Sequence, residues 1–538
     1  MRGLMMDFPL TIAPILERAG SAFSGVEIVS RKPDRTLSRS TWGDVYARSR
    51  RLANVLTGLG LRRGDRVATL LWNQTEHMEA YFGVPISGGV LHTLNVRLHP
   101  DELAFIANHA QDRFLIIDDI LLPIYEQFRE LVKFERVIVV PYGGCDFPAT
   151  YDNYETLLAA ASKDFAYPPL DENEAAAMCY TSGTTGRPKG VVYSHRAIVL
   201  HTMSCCGVDS LGISMRDTML PVTSLFHANG WGIPFTTAMA GTKIVLTGPY
   251  ADAEGLLDLM VQERVTVTTG VPTVWFGVLQ ALEKFPGRWK IDWPVRMNLG
   301  GAATSEALMR GFDRHGITVL CSWGMTETTP VATSCHLRTF MDSWNEPEKY
   351  AQRTKPGMPA AFLEARVMKL DGTPAPHDGC TVGEIEVRGP WVAAEYYKMP
   401  EEAHKWSADG WLRTGDMGHL DEFGYMKLVD RSKDLIKSGG EWISSVDLEN
   451  ALMGHPAVKE AAVVGVPHPK WQERPVAVVV LCDGAKASPE ELREFLGAKF
   501  AKWQLPDAFV YADEIPRTSV GKFRKTALRE QFLDWTWD

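Results

Sequence analysis

The sequence of 538 residues contains no apolar run long enough to cross a membrane. Its longest apolar stretches, such as residues 476–482, have the length of a strand, whereas a membrane-spanning helix needs about 20 residues. Near the amino terminus, Asp7, Pro9 and Pro14 interrupt a short apolar stretch, which excludes a signal-peptide core. We therefore expect a cytoplasmic protein without an integral membrane segment.

Paired cysteines and clustered basic residues are also absent. The eight cysteines show no CxxC spacing, so they indicate buried, reduced thiols rather than a metal site or a disulfide framework. The formal net charge is −10, and the lysines and arginines form no stripe that could neutralise a phosphate backbone. Nucleic acid is therefore not an expected partner.

Helical patterns alternate with short β-branched runs along most of the chain. Residues 42–59, behind the cap residue Thr41, predict an amphipathic helix, and residues 66–71 predict a buried strand. This alternation predicts mainly parallel sheets covered by helices. Further strands are predicted at residues 113–118, 137–140, 243–246 and 265–269.

A charged run at residues 430–434, DRSKD, is the predicted linker between two parts of the chain. It divides the chain into a large body, residues 1–430, and a smaller domain, residues 431–538. In the smaller part a helix (445–453) and two strands (458–466 and 474–481) precede a helix that begins with a capping box at Ser488. This order predicts a small α+β domain.

The strongest local signal is the segment YTSGTTGRPKG at residues 180–190, which lies between two apolar strands. Glycines let backbone N–H groups face an anion, and hydroxyl groups add donors. The spacing differs from the GxxxxGK[ST] loop of kinases and GTPases, because Lys189 follows a proline. A flexible linker is disfavoured by this residue order, and we predict a polyphosphate cradle made of Thr181, Ser182, Gly183, Thr184, Thr185, Gly186 and Lys189.

Six further motifs follow in order: GGAA at 300–303, SWGMTET at 322–328, GWLRTGD at 410–416, DRSKD at 430–434, GGEWI at 439–443 and PRTSVGK at 516–522. With these seven motifs the chain resembles the superfamily of adenylate-forming enzymes, which includes acyl-CoA synthetases, firefly luciferase and the adenylation domains of peptide synthetases. The likeness covers nearly the whole chain. It implies an enzyme that activates a carboxylic acid with ATP as an acyl-adenylate and passes the acyl group to CoA.

The resemblance also implies the fold and the assembly. We expect an α/β protein with a large multi-subdomain N-terminal domain, built of layered α/β sheets and a small barrel, and a mobile α+β C-terminal domain. A homodimer is implied as well, because related enzymes pair through the N-terminal region.

The nucleotide and a magnesium ion are assigned by the same resemblance. Adenine is expected between small residues and an aromatic ring that can stack on it, the ribose next to a carboxylate and an arginine, and Mg²⁺ on Glu327 and Thr184. Beyond the phosphate loop, the residues implied for ATP and AMP binding are Gly301, Ala302, Ala303, Trp323, Gly324, Met325, Thr326, Asp416 and Arg431.

The resemblance implies two half-reactions. Lys522 is expected to stabilise the charge that develops when the carboxylate attacks the α-phosphorus, and Lys522, His227, Thr184 and Glu327 form the expected catalytic set. The small domain then swings about a hinge at Asp430 and Lys433, which lets one site run two reactions in turn. The face that would then guide CoA consists of Lys437, Ser438, Gly439, Gly440, Glu441 and Trp442.

The acyl group is expected beside His227 and Gly301, with Trp231 at the place where fatty acyl enzymes have a gate to the acyl tunnel. Packing in the core is the alternative for a single tryptophan. Within the superfamily the sequence is most similar to bacterial medium- and long-chain fatty acyl-CoA synthetases, through residues 192–196, 270–275 and 434–450.

Four other functions are alternatives at this stage. Enzymes that load 3-methylmercaptopropionate share the same motifs, and pocket depth would separate them from fatty acyl enzymes. A luciferase-like oxidase would also form an adenylate. A non-catalytic adenylate-binding protein is disfavoured because Lys522 and Glu327 are present, and a peptide-synthetase domain because no carrier segment follows residue 538.

Overall fold

The structure is a computed structural model that describes residues 1, 3–181, 187–438, 441–518 and 522–537. Its strands, in chain order, are β1 (Glu27–Arg31), β2 (Leu37–Thr41), β3 (Arg66–Leu70), β4 (Val90–Thr93), β5 (Asp112–Asp118), β6 (Arg136–Val140), β7 (Asp152–Asn153), β8 (Ala175–Tyr180), β9 (Gly190–Ser194), β10 (Thr218–Pro221), β11 (Lys243–Leu246), β12 (Val267–Gly270), β13 (Val295–Leu299), β14 (Ile317–Gly324), β15 (Val331–Ser334), β16 (Met358–Pro359), β17 (Glu364–Met368), β18 (Gly383–Arg388), β19 (Leu412–Leu420), β20 (Met426–Arg431), β21 (Ile436–Ser438), β22 (Glu441–Ile443), β23 (Val458–His468), β24 (Gln472–Leu481) and β25 (Ala508–Tyr511).

The α-helices lie mostly between the strands. They are α1 (Ala13–Ala22), α2 (Trp42–Gly58), α3 (Thr75–Ile86), α4 (Pro100–Ala110), α5 (Leu122–Glu126), α6 (Tyr154–Ala160), α7 (His195–Cys206), α8 (Ile233–Ala240), α9 (Ala253–Gln262), α10 (Pro272–Lys284), α11 (Glu306–Asp313), α12 (Glu346–Arg353), α13 (Ser445–Leu452), α14 (Pro489–Gly497) and α15 (Lys525–Gln531). Among the described residues, no helix has the length and apolar character that crossing a bilayer requires.

Two large sheets form the body of the protein. A seven-stranded sheet has the order β7-β6-β5-β3-β4-β8-β9, and a nine-stranded sheet has the order β16-β15-β14-β13-β12-β10-β11-β1-β2. The strands β10, β11, β12, β13 and β14 run parallel, so their carboxyl ends meet at one edge of the nine-stranded sheet. The strands of both sheets are rich in β-branched residues and are apolar on both faces, so helices cover the sheets on both sides.

Local sequence explains the helix boundaries. In α2 the hydroxyl of Thr41 accepts a hydrogen bond from the N–H of Asp44, and the Asp44 carboxylate accepts one from the N–H of Thr41. This capping box satisfies two N–H groups that the helix leaves unpaired at its start. The buried residues Val45, Leu52 and Leu56 then face the core at helical spacing.

Two smaller sheets complete the fold. The four-stranded sheet β17-β18-β19-β20 is antiparallel. A five-stranded sheet has the order β22-β21-β24-β23, with β25 beside β24. Apolar residues of α13 and α14 pack against one group of its side chains, and Leu528 and Phe532 of the α15 region pack against another.

The predicted α/β fold class, with a large N-terminal part and a separate small C-terminal domain, is confirmed. The predicted helix at 42–59 is α2, and the predicted strands match β3, β5, β6, β11 and β12 to within two residues at each end. The four-stranded antiparallel sheet, which runs from β17 to β20, was not predicted, and neither were β25 and α15. β20 ends at Arg431 and β21 begins at Ile436, and the division of the chain at residue 430 stays a prediction.

Candidate active site

A cavity of about 580 Å³ opens at the carboxyl edge of the nine-stranded sheet. The segments that follow β10, β12, β13 and β14 line it, as expected where loops leave the carboxyl ends of parallel strands. The β8–β9 loop, the β19–β20 strands and the small domain supply the other walls. Its predicted site residues are Thr181, Lys189, His227, Trp231, Gly301, Trp323, Gly324, Met325, Thr326, Glu327, Arg431, Lys433 and Lys522.

A second cavity of about 900 Å³ adjoins the first and shares Gly301, Trp323, Gly324 and Lys522 with it. One wall belongs to the large body, and the opposite wall is formed by α13 and by the residues around α15. Its predicted site residues that do not line the first cavity are Ala302, Ala303, Asp416 and Asp430.

Asp416 stands at the centre of a polar contact between two motifs. Its Oδ2 accepts a hydrogen bond from the indole N–H of Trp323 at 2.9 Å, and its Oδ1 lies 3.3 Å from Nε of Arg431. Asp416 and Arg431 are directly opposite each other in the β19–β20 pair. The antiparallel pairing therefore sets the spacing between the carboxylate and the guanidinium group.

The neck of the predicted phosphate loop is closed by hydrogen bonds between its two ends. The N–H of Thr181 donates to the carbonyl of Lys189 at 2.9 Å, and the N–H of Lys189 donates to the Thr181 hydroxyl at 3.1 Å. Nζ of Lys189 forms an ion pair with Glu402 at 2.7 Å and lies over the ring of Tyr396. The predicted residues Ser182, Gly183, Thr184, Thr185 and Gly186 lie outside the described residues.

Glu327 presents a buried carboxylate to the first cavity. Its side chain accepts a hydrogen bond from the hydroxyl of Tyr396, and the residue is only 5% exposed. Across the described residues, no three His, Cys, Asp or Glu side chains form a metal-sized cluster. A Mg²⁺ ion held by one carboxylate and by phosphate oxygens needs no such cluster, and the oxygen donor of Glu327 fits this ion.

Lys522 reaches from the small domain into the large body. A Cβ atom placed on Gly301 would lie 3.4 Å from Cε and 3.9 Å from Nζ of the lysine, and Gly301 has a φ of +80°. Burial lowers the pKa of Lys522 to about 8, and the charge of Arg431 acts in the same direction. Burial, together with the charge of Lys522, lowers the pKa of His227 to about 3, so that this imidazole is neutral at pH 7.

Trp231 is held by an unusual backbone. Ala228, Asn229, Gly230, Trp231 and Gly232 all have positive φ, between 44° and 71°. This conformation costs about 1–2 kcal/mol for each residue that is not glycine, so surrounding contacts must stabilise it. The indole lies against Gly300, where an added Cβ would be only 3.1 Å from Cη2 of Trp231.

Contacts from the seven-stranded sheet and from α3 hold the segment before this turn. The Asn73 side chain accepts a hydrogen bond from the N–H of Leu225 at 2.8 Å and donates to the carbonyl of Thr223 at 3.0 Å. The Tyr81 hydroxyl donates to the carbonyl of Leu225. The thiol of Cys179 donates to the Asn229 side chain at 3.3 Å. The two large sheets together therefore fix the positions of His227 and Trp231.

The predicted CoA face is not brought to Lys522. Its described side chains, Lys437, Ser438 and Trp442, line neither cavity. Nζ of Lys437 lies 5.4 Å from the ring centre of Trp442, which is 39% exposed, and the Ser438 hydroxyl accepts a hydrogen bond from Arg474 at 2.9 Å. Gly439 and Gly440 lie outside the described residues, and Glu441 begins β22.

Three residues that contact the site had no signal in the sequence. Glu402 pairs with Lys189 across 213 residues of chain, Asn73 holds Leu225 across 152, and Tyr396 holds Glu327 across 69. None of them belongs to a motif, and no periodicity connects residues at such separations. Only the packing of the sheets reveals these contacts.

Family models match most of the chain. Residues 20–397 match the model of the AMP-binding enzyme, and residues 447–522 match that of the AMP-binding enzyme C-terminal domain. The chain is also similar to a solved anthranilate CoA ligase in complex with anthranoyl-AMP, at 25% identity, with a TM-score of 0.88 and coverage of 98% of both chains.

Similar curated proteins extend over the full length. The long-chain-fatty-acid–CoA ligase of Thermus thermophilus is 48% identical over 99% of this chain and 97% of its own. The 3-methylmercaptopropionyl-CoA ligase of Ruegeria lacuscaerulensis is 41% identical over 99% of both chains. The medium-chain-fatty-acid–CoA ligase of Ectopseudomonas oleovorans is 38% identical over 99% of this chain and 98% of its own.

We expect Lys522 to titrate near pH 8, because its ammonium group is buried beside Arg431. Competitive labelling with acetic anhydride across pH 6 to 10, followed by mass spectrometry, measures this titration, with the exposed Lys290 as internal reference for the reagent. Arg431→Gln should raise the pKa of Lys522 because it removes a neighbouring positive charge. Equal pH dependence of labelling at Lys522 and Lys290 would contradict the buried position.

Proposed function

The chain belongs to the AMP-binding enzyme family, and from that premise we propose that its physiological substrate is a medium- or long-chain fatty acid. The protein is an AMP-forming acid–CoA ligase, which uses a carboxylic acid, ATP and CoA. The observation that carries the mechanism is the position of Lys522 against Gly301, within a cavity that also contains Glu327 and His227. The similarity to the Thermus thermophilus long-chain enzyme supports the choice of acid.

In the proposed first half-reaction, the triphosphate lies at the phosphate loop, and adenine lies by Gly301, Ala302, Ala303 and the Trp323 segment. Asp416 and Arg431 bind the ribose hydroxyls. Glu327 would hold Mg²⁺ together with Thr184, and the ion would neutralise phosphate charge. Lys522 stabilises the negative charge that accumulates as the carboxylate oxygen attacks the α-phosphorus and pyrophosphate leaves.

His227 and Trp231 are the proposed acyl-site residues. A neutral imidazole can exchange hydrogen bonds with a carboxylate without adding charge beside Lys522, which is consistent with the low pKa of His227. Trp231 occupies the space against Gly300. A short acid could bind with the indole in this position, whereas a long chain requires the indole to move.

The second half-reaction needs a different arrangement of the small domain. We propose that residues 431–538 rotate relative to residues 1–430 about Asp430 and Lys433, and that the CoA face then replaces Lys522. The position of Lys437, Ser438 and Trp442 outside both cavities supports this proposal, because CoA could not meet them beside the adenylate in the present arrangement.

The second candidate acid is 3-methylmercaptopropionate, favoured by the 41% identity to the Ruegeria lacuscaerulensis ligase. For a fatty acid we expect kcat/KM to rise by about fourfold per methylene, since burial of each CH₂ is worth about 0.8 kcal/mol, until the pocket is filled. AMP release with acids from acetate to palmitate, and with 3-methylmercaptopropionate, measures this. A maximum at the short sulfur acid would assign the second candidate instead.

Lys522→Ala should lower adenylate formation by about 10²–10³-fold, because the transition-state charge loses its partner. Transfer from a preformed acyl-adenylate to CoA should change little, since Lys522 is proposed to leave the site before that step. Acid-dependent exchange of pyrophosphate into ATP measures the first step, and thioester formation from synthetic adenylate measures the second. Equal losses in both would refute the assignment.

We further propose a homodimer that uses the amino-terminal segment. Leu4, Met5, Met6 and Phe8 are between 68% and 92% exposed, and several apolar side chains together on a surface are typical of an interaction site. Sedimentation should therefore give the mass of a dimer, and removal of residues 1–9 should give a monomer. A monomeric full-length protein would contradict this assembly.

A further inference from the structure

A buried polar chain connects the four-stranded sheet to the helices of the five-stranded sheet, close to Lys522. Asp430 lies near the end of β20 and pairs with Met417 of β19. Its Oδ2 accepts hydrogen bonds from the N–H of Ser445, at 2.8 Å, and from the Ser445 hydroxyl. Ser445 is the first residue of α13, so a carboxylate on one sheet holds the start of a helix that packs on the other.

The chain continues from Ser445 into α15. Nζ of Lys525 donates to the Ser445 hydroxyl and forms an ion pair with Glu449 of α13 at 2.7 Å. Oε1 of Glu449 also accepts a hydrogen bond from the N–H of Val463 at 2.7 Å. We call Asp430, Ser445, Glu449 and Lys525 the Asp430 cluster. Asp430, Ser445 and Glu449 are each less than 7% exposed, so water competes little for these contacts.

Lys525 is only three residues beyond Lys522, and the backbone between them is held. The N–H of Thr518 donates to the carbonyl of Lys522, and the N–H of Arg524 donates to the carbonyl of Pro516, both at 2.7 Å. An isolated bridge joins Arg517 to Phe523. A displacement of Lys525 would therefore carry Lys522 with it.

The cluster spans the proposed hinge. Asp430 precedes Lys433 in the chain, whereas Ser445, Glu449 and Lys525 follow it. A rotation about Lys433 would move the three later residues away from Asp430 and would leave this buried carboxylate without the N–H and hydroxyl donors of Ser445. The same rotation would withdraw Lys522 from Gly301. The hydrogen bonds between Asp430 and Ser445 therefore exist only in the orientation that inserts the lysine.

We propose that the Asp430 cluster holds the small domain in the orientation that adenylate formation requires, so that Asp430, Ser445 and Lys525 are positioning residues for Lys522. This inference rests on the proposed function, because it assumes that the two half-reactions use two orientations. Loss of the cluster should then slow the first half-reaction and leave the second unaffected or faster.

A second ion pair on α15 provides a matched control. Arg529 lies 2.7 Å from Asp434, and both side chains are partly buried. Both Asp434 and Arg529 follow Lys433 in the chain, so a rotation there would leave this ion pair intact. Arg529→Gln thus removes a charge contact from the same helix without changing any contact that spans the hinge.

The test compares Asp430→Asn with Arg529→Gln in the full-length enzyme, using the acid that gives the fastest wild-type reaction. For Asp430→Asn, pyrophosphate exchange should fall by about tenfold or more, as for loss of a hydrogen bond to a charged group. Thioester formation from a preformed adenylate should stay within about twofold or rise. Arg529→Gln should change neither rate by more than about twofold.

Equal losses in both half-reactions, or no loss in either, would overturn the positioning role. If Asp430→Asn does not fold, Ser445→Ala decides, because it removes only the hydroxyl that joins Lys525 to Asp430. A loss confined to pyrophosphate exchange then supports the proposal, and unchanged exchange contradicts it. Absence of exchange in the wild-type enzyme with every acid would contradict the proposed function itself rather than the role of the cluster alone.

Discussion

The site depends on one constraint, which is that an ammonium group of the small domain must be buried against a glycine of the large body. Burying a charge is costly unless opposite charges lie near it. Asp416 and Glu327 favour the charged form of Lys522, while burial and Arg431 oppose it, and the balance leaves the pKa at about 8. Bound triphosphate and carboxylate would add negative charge. In the proposed mechanism the negative charges of the substrates therefore stabilise the charged form of Lys522 more fully than the protein alone does.

The part of the large body that faces this lysine has a fixed backbone conformation. Five consecutive residues with positive φ position Trp231, and a Cβ atom at Gly300 would crowd the indole. Asn73, from the loop after β3, and Tyr81, from α3, fix the backbone just before this turn. A strained backbone of this kind persists only where contacts from the surrounding structure hold it in place. The large body around Trp231 is therefore fixed, whereas Lys522 is carried by the separate small domain. A mechanism with two orientations of the small domain requires this difference.

Much of the fold could be predicted because its signals are local. Residues 42–59 carry a cap and a helical apolar stripe, and α2 follows both closely. The capping box at Ser488 likewise begins α14. The antiparallel sheet from β17 to β20 was missed because its strands mix charged with apolar residues, so their pattern resembles that of a loop. β25 is a short strand with intermediate burial and gave equally little signal.

The order of seven motifs by itself determined the family, the reaction class and a subset of the residues that line the first cavity, because each motif is a short segment whose chemistry is nearly independent of the rest of the chain. Only the tertiary structure decided that Lys189 pairs with Glu402, that Trp231 lies on Gly300, and that Asp430 is tied through Ser445 to Lys525. The physical reason is that these contacts arise where whole sheets dock. Docking depends on the summed packing of distant surfaces, which no local spacing in the sequence encodes.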